Sequence, residues 1–157
     1  MARYFKQIAD NRRARHDYNV IEVYKVGVVL TGTEVKSVRM GRVNLKDSFA
    51  RAEKGALLVY GMHISPYGKG SIYNVDPMRP RKILLEKGEL IKLIGKVSQK
   101  GLTLIPLKLY FDGNWAKIDL GLCKAKKLYE KREVLKEKDI KRETERELSE
   151  KFKEKRS

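Results

Sequence analysis

Cysteine, histidine and tryptophan are scarce in this chain, and each scarcity removes a class of function. Cys123 stands alone, so no intramolecular disulfide and no thiolate metal cage can form. We read it as a small hydrophobe at a strand end and not as a nucleophile. The two histidines, His16 and His63, belong to no H-E-x-x-H pattern. No C-x-x-C, Walker loop or G-x-S-x-G occurs either, and Gly68-Lys69-Gly70 lacks the flanking spacing of a phosphate loop. Asp112 and Asp119 read as turn and surface residues, not a metal site. No apolar run approaches the ~18 residues that span a bilayer, and no segment carries the broad apolar face of an interfacial helix. The opening residues, Met1-Ala2-Arg3-Tyr4-Phe5-Lys6, have no apolar centre of a secretory signal. No enzyme, no cofactor, no metal and no membrane role is expected, and a lone thiol fits a cytoplasmic setting.

Positive charge is what the chain has in excess. Lys and Arg number 36 against 20 Asp and Glu, a net charge of +16 over 157 residues. Such an excess adds self-repulsion and points to an anionic partner, nucleic acid first. Hydrophobic residues make up 41% of the chain and lie mostly before residue 123, enough for one modest core. Two regions are therefore expected: a folded body over 1–123 and a basic tail over 124–157.

In the body, Lys6 to His16 reads as a short polar helix. Tyr18 to Leu30 is dense in Val, Ile and Tyr and reads as a strand, with a bulge or bend at Gly27. Thr31-Gly32-Thr33 offers a cap for a helix from Glu34 to Met40, closed by Gly41. Asn44–Ala52 and Ala56–Met62 read as strands joined by a turn at Glu53-Lys54-Gly55. Pro66–Pro80 is an exposed loop and Arg81–Leu85 a short strand. Leu90, Leu93, Ile94 and Val97 form the clearest helical stripe. Leu102–Phe111 and Trp115–Leu122 form a terminal hairpin, with a bulge or edge at Pro106 and a half-buried alternation in the second strand. Many short antiparallel strands with few helices point to a mainly β fold. An OB-like barrel suits a basic protein best, and a flat sheet under one helical layer is the competitor.

The tail holds 14 basic and 9 acidic residues with no Gly or Pro. Its larger apolar residues are too sparse for a core helix and off register for a coiled coil. It reads as a marginal helix, disordered when free and ordered when docked. In the body, Arg12, Arg13, Arg15, Arg39, Arg42, Lys46, Lys82 and Lys117 are interleaved with Tyr18, Tyr24, Tyr67, Tyr73 and Trp115. Cations neutralise phosphates and planar rings stack on unpaired bases. The ensemble favours RNA, although any single aromatic is better explained by packing. No RRM or zinc-knuckle pattern appears, so shape and unpaired nucleotides are the expected determinants.

The order of motifs is specific. Asn11-Arg12-Arg13-Ala14-Arg15-His16-Asp17-Tyr18 is followed by Gly32-Thr33-Glu34-Val35-Lys36-Ser37-Val38-Arg39-Met40-Gly41. Asp47-Ser48-Phe49, Gly61-Met62-His63-Ile64-Ser65-Pro66-Tyr67 and Asp76-Pro77-Met78-Arg79-Pro80-Arg81-Lys82-Ile83-Leu84-Leu85 come next. Leu107-Lys108-Leu109-Tyr110-Phe111 and Asn114-Trp115-Ala116-Lys117 complete the set. Together they resemble the small protein B family, the SsrA-binding proteins that partner transfer-messenger RNA in trans-translation.

The resemblance implies an OB-like barrel that clasps the tRNA-like domain of that RNA. It implies RNA contacts from Asn11, Arg12, Arg13, Arg15 and His16, from Glu34, Lys36, Arg39, Arg42 and Asn44, and from Leu84 and Lys117. It further implies a tail that enters the empty mRNA path of a stalled ribosome, at the small-subunit decoding centre, and stands in for codon–anticodon pairing. Elongation factor Tu with the alanylated RNA is an implied further partner. The family's tail pattern, Gly-Lys-Lys-x-His-Asp-Lys-Arg, is matched by Ala125-Lys126-Lys127-Leu128-Tyr129-Glu130-Lys131-Arg132, with Ala, Tyr and Glu in place of Gly, His and Asp. The ribosome-binding residues implied are Lys126, Lys127, Tyr129, Glu130, Lys131 and Arg132, with the apolar pair Ile140 and Leu148 further on. A structural ribosomal protein and a small RNA-processing enzyme are the alternative readings.

Overall fold

The computed structural model describes residues 5–68, 74–98, 101–126 and 138–150. Compact units divide the chain at Met1–Ala125 and Lys126–Ser157.

The first unit runs β1 (Phe5–Asp10), α1 (Arg12–Asp17), β2 (Tyr18–Val28), α2 (Gly32–Arg39), β3 (Val43–Asn44), β4 (Phe49–Glu53), β5 (Ala56–Tyr60), β6 (His63–Ile64), β7 (Arg81–Leu84), α3 (Lys87–Ser98), β8 (Thr103–Asp112) and β9 (Trp115–Ala125). The main sheet follows the order β1-β8-β4-β5-β7-β2-β9, and β9 also pairs with β8. That last pairing closes the ring, so the sheet is an OB-like barrel and not a flat layer. All the pairings are antiparallel. A separate ribbon pairs β3 with β6.

Alternation along the strands fills the interior. Ile118, Leu120 and Leu122 of β9, Leu104 and Leu109 of β8, and Leu57 and Val59 of β5 are buried in one cluster with Val26, Val28 and Ile83. Helix α2 adds Val38 and α3 adds Leu93 to the same cluster. A second, smaller cluster joins Ala14 of α1 to Ile105, Leu107 and Cys123, with Tyr18 packed against it. Helix α1 thus covers the outer face of β8 and β9 at the Cys123 end. The solvent face expected along β9 holds at Trp115 and is lost at Gly121 and Cys123. A Cβ at Gly121 would meet Leu107 Cδ1 at 2.8 Å, so only glycine lets the two strands pack there. Burial raises the Cys123 thiol to about 11, which keeps it protonated and unreactive at neutral pH.

Four local expectations need correction. Phe5–Asp10 is a strand, not the start of a helix, because the edge of β8 offers it a ladder from Phe5↔Asp112 to Asp10↔Lys108. The span read as one strand from Asn44 breaks at Leu45–Ser48, where Asp47 takes φ 63° and Ser48 bonds back to the Leu45 carbonyl, N···O 3.0 Å. The irregularity in β2 lies between Val20 and Glu22 rather than at Gly27. Gly27 instead pairs with both Leu84 and Lys117, and a Cβ there would sit 3.3 Å from Leu84 Cβ. Finally, the last strand continues through Ala125, past the expected end of the body.

Pro106 does mark an irregularity, between Pro106 and Lys108. The physical reason is visible in how β8 shares one edge. Strand β4 pairs there at Leu104 and β1 takes over at Lys108. Pro106 sits in the gap between them, where no amide donor is needed. The two carbonyls in the gap are taken by Asn11: its side-chain amide donates to Pro106 O at 3.0 Å and its backbone N–H to Leu107 O at 2.7 Å.

Residues 138–150 of the second unit are helical, and every one of them is exposed. The Thr144 hydroxyl donates to the Ile140 carbonyl at 3.0 Å.

Candidate nucleic-acid interface

Asn11 builds the first part of the site. It is 4% exposed. Besides the two bonds to the β8 gap, its Nδ2 donates to Leu45 O at 3.1 Å and its Oδ1 accepts from the Ala14 amide at 3.2 Å. It therefore caps α1 and ties that helix to β8 and to the end of β3. The side-chain amide bonds internally, and what it delivers is the position of α1. Arg12, Arg13 and Arg15 then face outward from that helix. Arg13 Nε lies 3.6 Å from Asp17 and Arg15 Nη2 lies 3.5 Å from Asp10. His16 Nδ1 lies 2.9 Å from the Asp17 carboxylate, which fixes the orientation of the ring.

Glu34 builds the second part. Thr31 and Glu34 form a reciprocal capping box at the start of α2. The Glu34 carboxylate, 3% exposed, also accepts from Arg79 Nη2 and from Arg81 Nε, each at 2.5 Å. Arg81 is fully buried and also donates to Met62 O at 2.5 Å and Pro77 O at 3.1 Å. Burial pushes the Glu34 carboxyl up, but the Thr31 amide and the Arg79 and Arg81 guanidiniums outweigh it, and the net direction is down. Burial lowers the Arg81 guanidinium against the opposing pull of Glu34. Glu34, like Asn11, thus organises the fold around the helix it caps. Nothing local in the sequence marks Arg79 and Arg81 for this role. The capping spacing Thr31-x-x-Glu34 was a usable signal for the helix start, but the pairing to residues 45 and 47 positions away was not.

Lys36 and Arg39 project from α2, and Arg42 follows it, all three exposed. Lys36 Nζ sits 5.3 Å from the Tyr67 ring centroid and Arg39 Cζ 5.3 Å from that of Phe111. Arg39, Lys6, Ile8, Phe111, Gly113 and Asn114 line an open cleft of about 340 Å³. Lys117, 3.4 Å from Asp112, lies just beyond the β8–β9 turn. Leu84, 49% exposed, and Lys117 flank Gly27 across β7, β2 and β9. Asn44 is exposed in β3, its Oδ1 accepting from the Lys46 amide at 2.8 Å. A second cleft of about 280 Å³ is lined by Arg13, Asp17, Tyr18, Asp47 and Phe49. The structure therefore groups Arg12, Arg13, Arg15 and His16 on α1, and Lys36, Arg39 and Arg42 on and after α2. Leu84 and Lys117 meet around Gly27.

Lys127, Tyr129, Glu130, Lys131 and Arg132 lie outside the described residues. Ile140 and Leu148 are 55% and 53% exposed on the helical stretch. Among the described residues no group of His, Cys, Asp and Glu is placed to hold a metal ion, and no helix is long and apolar enough to cross a membrane.

A closed antiparallel barrel with cationic helices anchored by buried polar residues has the features of an OB-like nucleic-acid-binding protein. The family is more specific. The model of the family described as SmpB protein matches residues 8–150. The SsrA-binding protein of Carboxydothermus hydrogenoformans is 59% identical over 143 residues, covering 91% of this chain and 96% of the relative. That of Moorella thermoacetica is 53% identical over 154 residues, 98% of this chain and 99% of the relative. A chain in a solved structure described as "tmRNA-SmpB: a journey to the center of the bacterial ribosome" superposes with a TM-score of 0.65 at 56% identity, covering 76% of this chain and 85% of that one. The chain belongs to the SmpB family.

Proposed function

We propose that this protein is an RNA-binding adaptor of trans-translation: the barrel binds the tRNA-like domain of transfer-messenger RNA and brings it to stalled ribosomes. The observation that carries the reading is the set of exposed cations on α1 and α2, held in place by Asn11 and by the Glu34–Arg79–Arg81 cluster. Arg12, Arg13, Arg15, Lys36, Arg39, Arg42 and Lys117 supply phosphate contacts. His16 and Leu84 meet exposed bases, and Asn44 supplies a polar contact beside them. Asn11 and Glu34 act through the helices they anchor.

The tail acts at the ribosome. Lys126, Lys127, Lys131 and Arg132 pair with ribosomal RNA phosphates in the decoding centre, Tyr129 stacks on a base there, Glu130 completes the motif, and Ile140 and Leu148 dock the distal helix. Elongation factor Tu accompanies the alanylated RNA. The work is binding and positioning in the cytoplasm, and no catalytic step is assigned. A structural ribosomal protein would share the charge, but family membership disfavours that alternative.

The test is a salt titration with the tRNA-like RNA. Log affinity should fall with log salt by about 0.7–0.9 per phosphate contacted, and Arg42→Ala should lower affinity and reduce that slope by about one contact. An RNA that binds with no salt dependence, or no binding at all, contradicts the reading.

A further inference from the structure

The β4–β5 hairpin carries an aromatic and cationic row that none of the roles above uses. Ala50, Leu57 and Val59 point into the barrel, so Phe49, Arg51 and Tyr60 lie on its outer face. Phe49 and Tyr60 are cross-strand partners, with stacked rings 5.5 Å apart at 16°. Arg51 Cζ lies 4.9 Å from the Tyr60 centroid. The Glu53 carboxylate holds this arrangement, pairing with the Arg51 guanidinium and with the Tyr60 hydroxyl. Phe49 also lines the cleft that contains Arg13 and Tyr18, so the row continues from α1 onto the hairpin.

We propose that Phe49, Tyr60 and Arg51 form a stacking platform for an unpaired RNA base, extending the RNA-binding surface from α1 across the β4–β5 hairpin. The proposal rests on the RNA-binding reading. An exposed ring in a parallel stack offers a π-face to any base, and a guanidinium beside it adds attraction to both rings and phosphate. A cross-strand aromatic pair alone stabilises a hairpin. What that role leaves unexplained is the pair's continuity with the Arg13 cleft and the guanidinium fixed over the ring. Because Glu53 already orders Arg51, little side-chain freedom remains to be lost on binding. The base belongs either to the tRNA-like RNA or to ribosomal RNA, and the two are separable.

The experiment titrates the full chain and its Phe49→Leu, Phe49→Tyr, Arg51→Ala and Arg42→Ala variants. One arm uses the tRNA-like RNA and the other uses small ribosomal subunits free of that RNA. Phe49→Leu should weaken binding about 5- to 100-fold on at least one arm, while Phe49→Tyr, which keeps a ring, stays within about twofold. Arg51→Ala should cost about 2- to 5-fold on the same arm. Loss on the first arm assigns the base to the tRNA-like RNA, and loss on the second arm alone assigns it to ribosomal RNA. Thermal unfolding of each variant is recorded alongside. Should Phe49→Leu fail to fold, Arg51→Ala decides, since that side chain is 60% exposed and supports no core. Unchanged affinity on both arms for the folded variants overturns the platform. In that case a weakened Arg42→Ala would leave the RNA-binding reading standing, and an unchanged one would remove that reading too.

Discussion

The barrel and the helix at 138–150 handle charge in opposite ways. In the barrel, Arg81 is fully buried and Glu34 nearly so; Arg81 donates to Glu34, Met62 and Pro77, and Glu34 accepts from Thr31, Arg79 and Arg81. In the helix, every residue from 138 to 150 faces solvent, and its two large apolar side chains, Ile140 and Leu148, are more than half exposed. Charge in the first region fixes a structure; in the second it leaves the segment without a core of its own. The lesson is that the excess of Lys and Arg is not one property. Part is architecture, part is exposed on α1 and α2, and part lies in a tail whose described helix is exposed throughout.

The sharpest way to break this contrast is to remove Arg81. Arg81→Ala leaves the Glu34 carboxylate buried with Arg79 as its remaining cation, and takes the Arg81 donor from the carbonyl of the buried Met62. Loss of about 3–5 kcal/mol is expected, read as the shift in a denaturant unfolding curve. A change below about 0.5 kcal/mol, the level of an ordinary surface substitution, would mean the cluster organises nothing.

Acid provides the next test. The Glu34 carboxyl is depressed in the folded protein, so its contribution is fully present above its ordinary value of 4.5 and is lost as pH falls through the lowered folded value. Stability of the wild type should fall with acid in that window. In Arg81→Ala the fall should be shallower, because one group that depresses the carboxyl is gone. Parallel stability–pH curves would contradict the pairing.

Capping gives a smaller effect. Thr31→Ala removes the oxygen that accepts the Glu34 amide at 3.3 Å and should cost about 1 kcal/mol. It should also weaken RNA binding through α2, with the salt slope retained.

Much of the barrel was legible because it rests on local signals. The alternation in β9, the stripe in α3 that buries Leu93, the turn at Lys54-Gly55 and the capped start of α2 are all written within a few residues. What was not legible depends on partners far along the chain. Phe5–Asp10 is a strand because β8 lies about 100 residues away, and nothing in Lys6-Gln7-Ile8-Ala9 states that. The same holds for Asn11 and Glu34. The family resemblance implied RNA contacts for both, and only the fold shows their side chains turned inward. Phe49 and Tyr60 had a signal, since counting outward from the Lys54-Gly55 turn places them opposite each other.

The smallest expected effect on stability belongs to the distal helix. Ile140→Asp and Leu148→Asp should change unfolding free energy by less than about 0.5 kcal/mol and leave RNA affinity unchanged, while impairing peptidyl transfer to the alanylated RNA on stalled ribosomes.

The central claim, that barrel and tail divide binding from ribosomal action, is tested most directly by ending the chain before Lys126. The barrel's last strand closes at Ala125, so the shortened protein should fold and keep most of its affinity for the tRNA-like RNA. It should fail to support transfer of the first alanine in a stalled-ribosome assay. Normal transfer by the shortened protein would contradict the division.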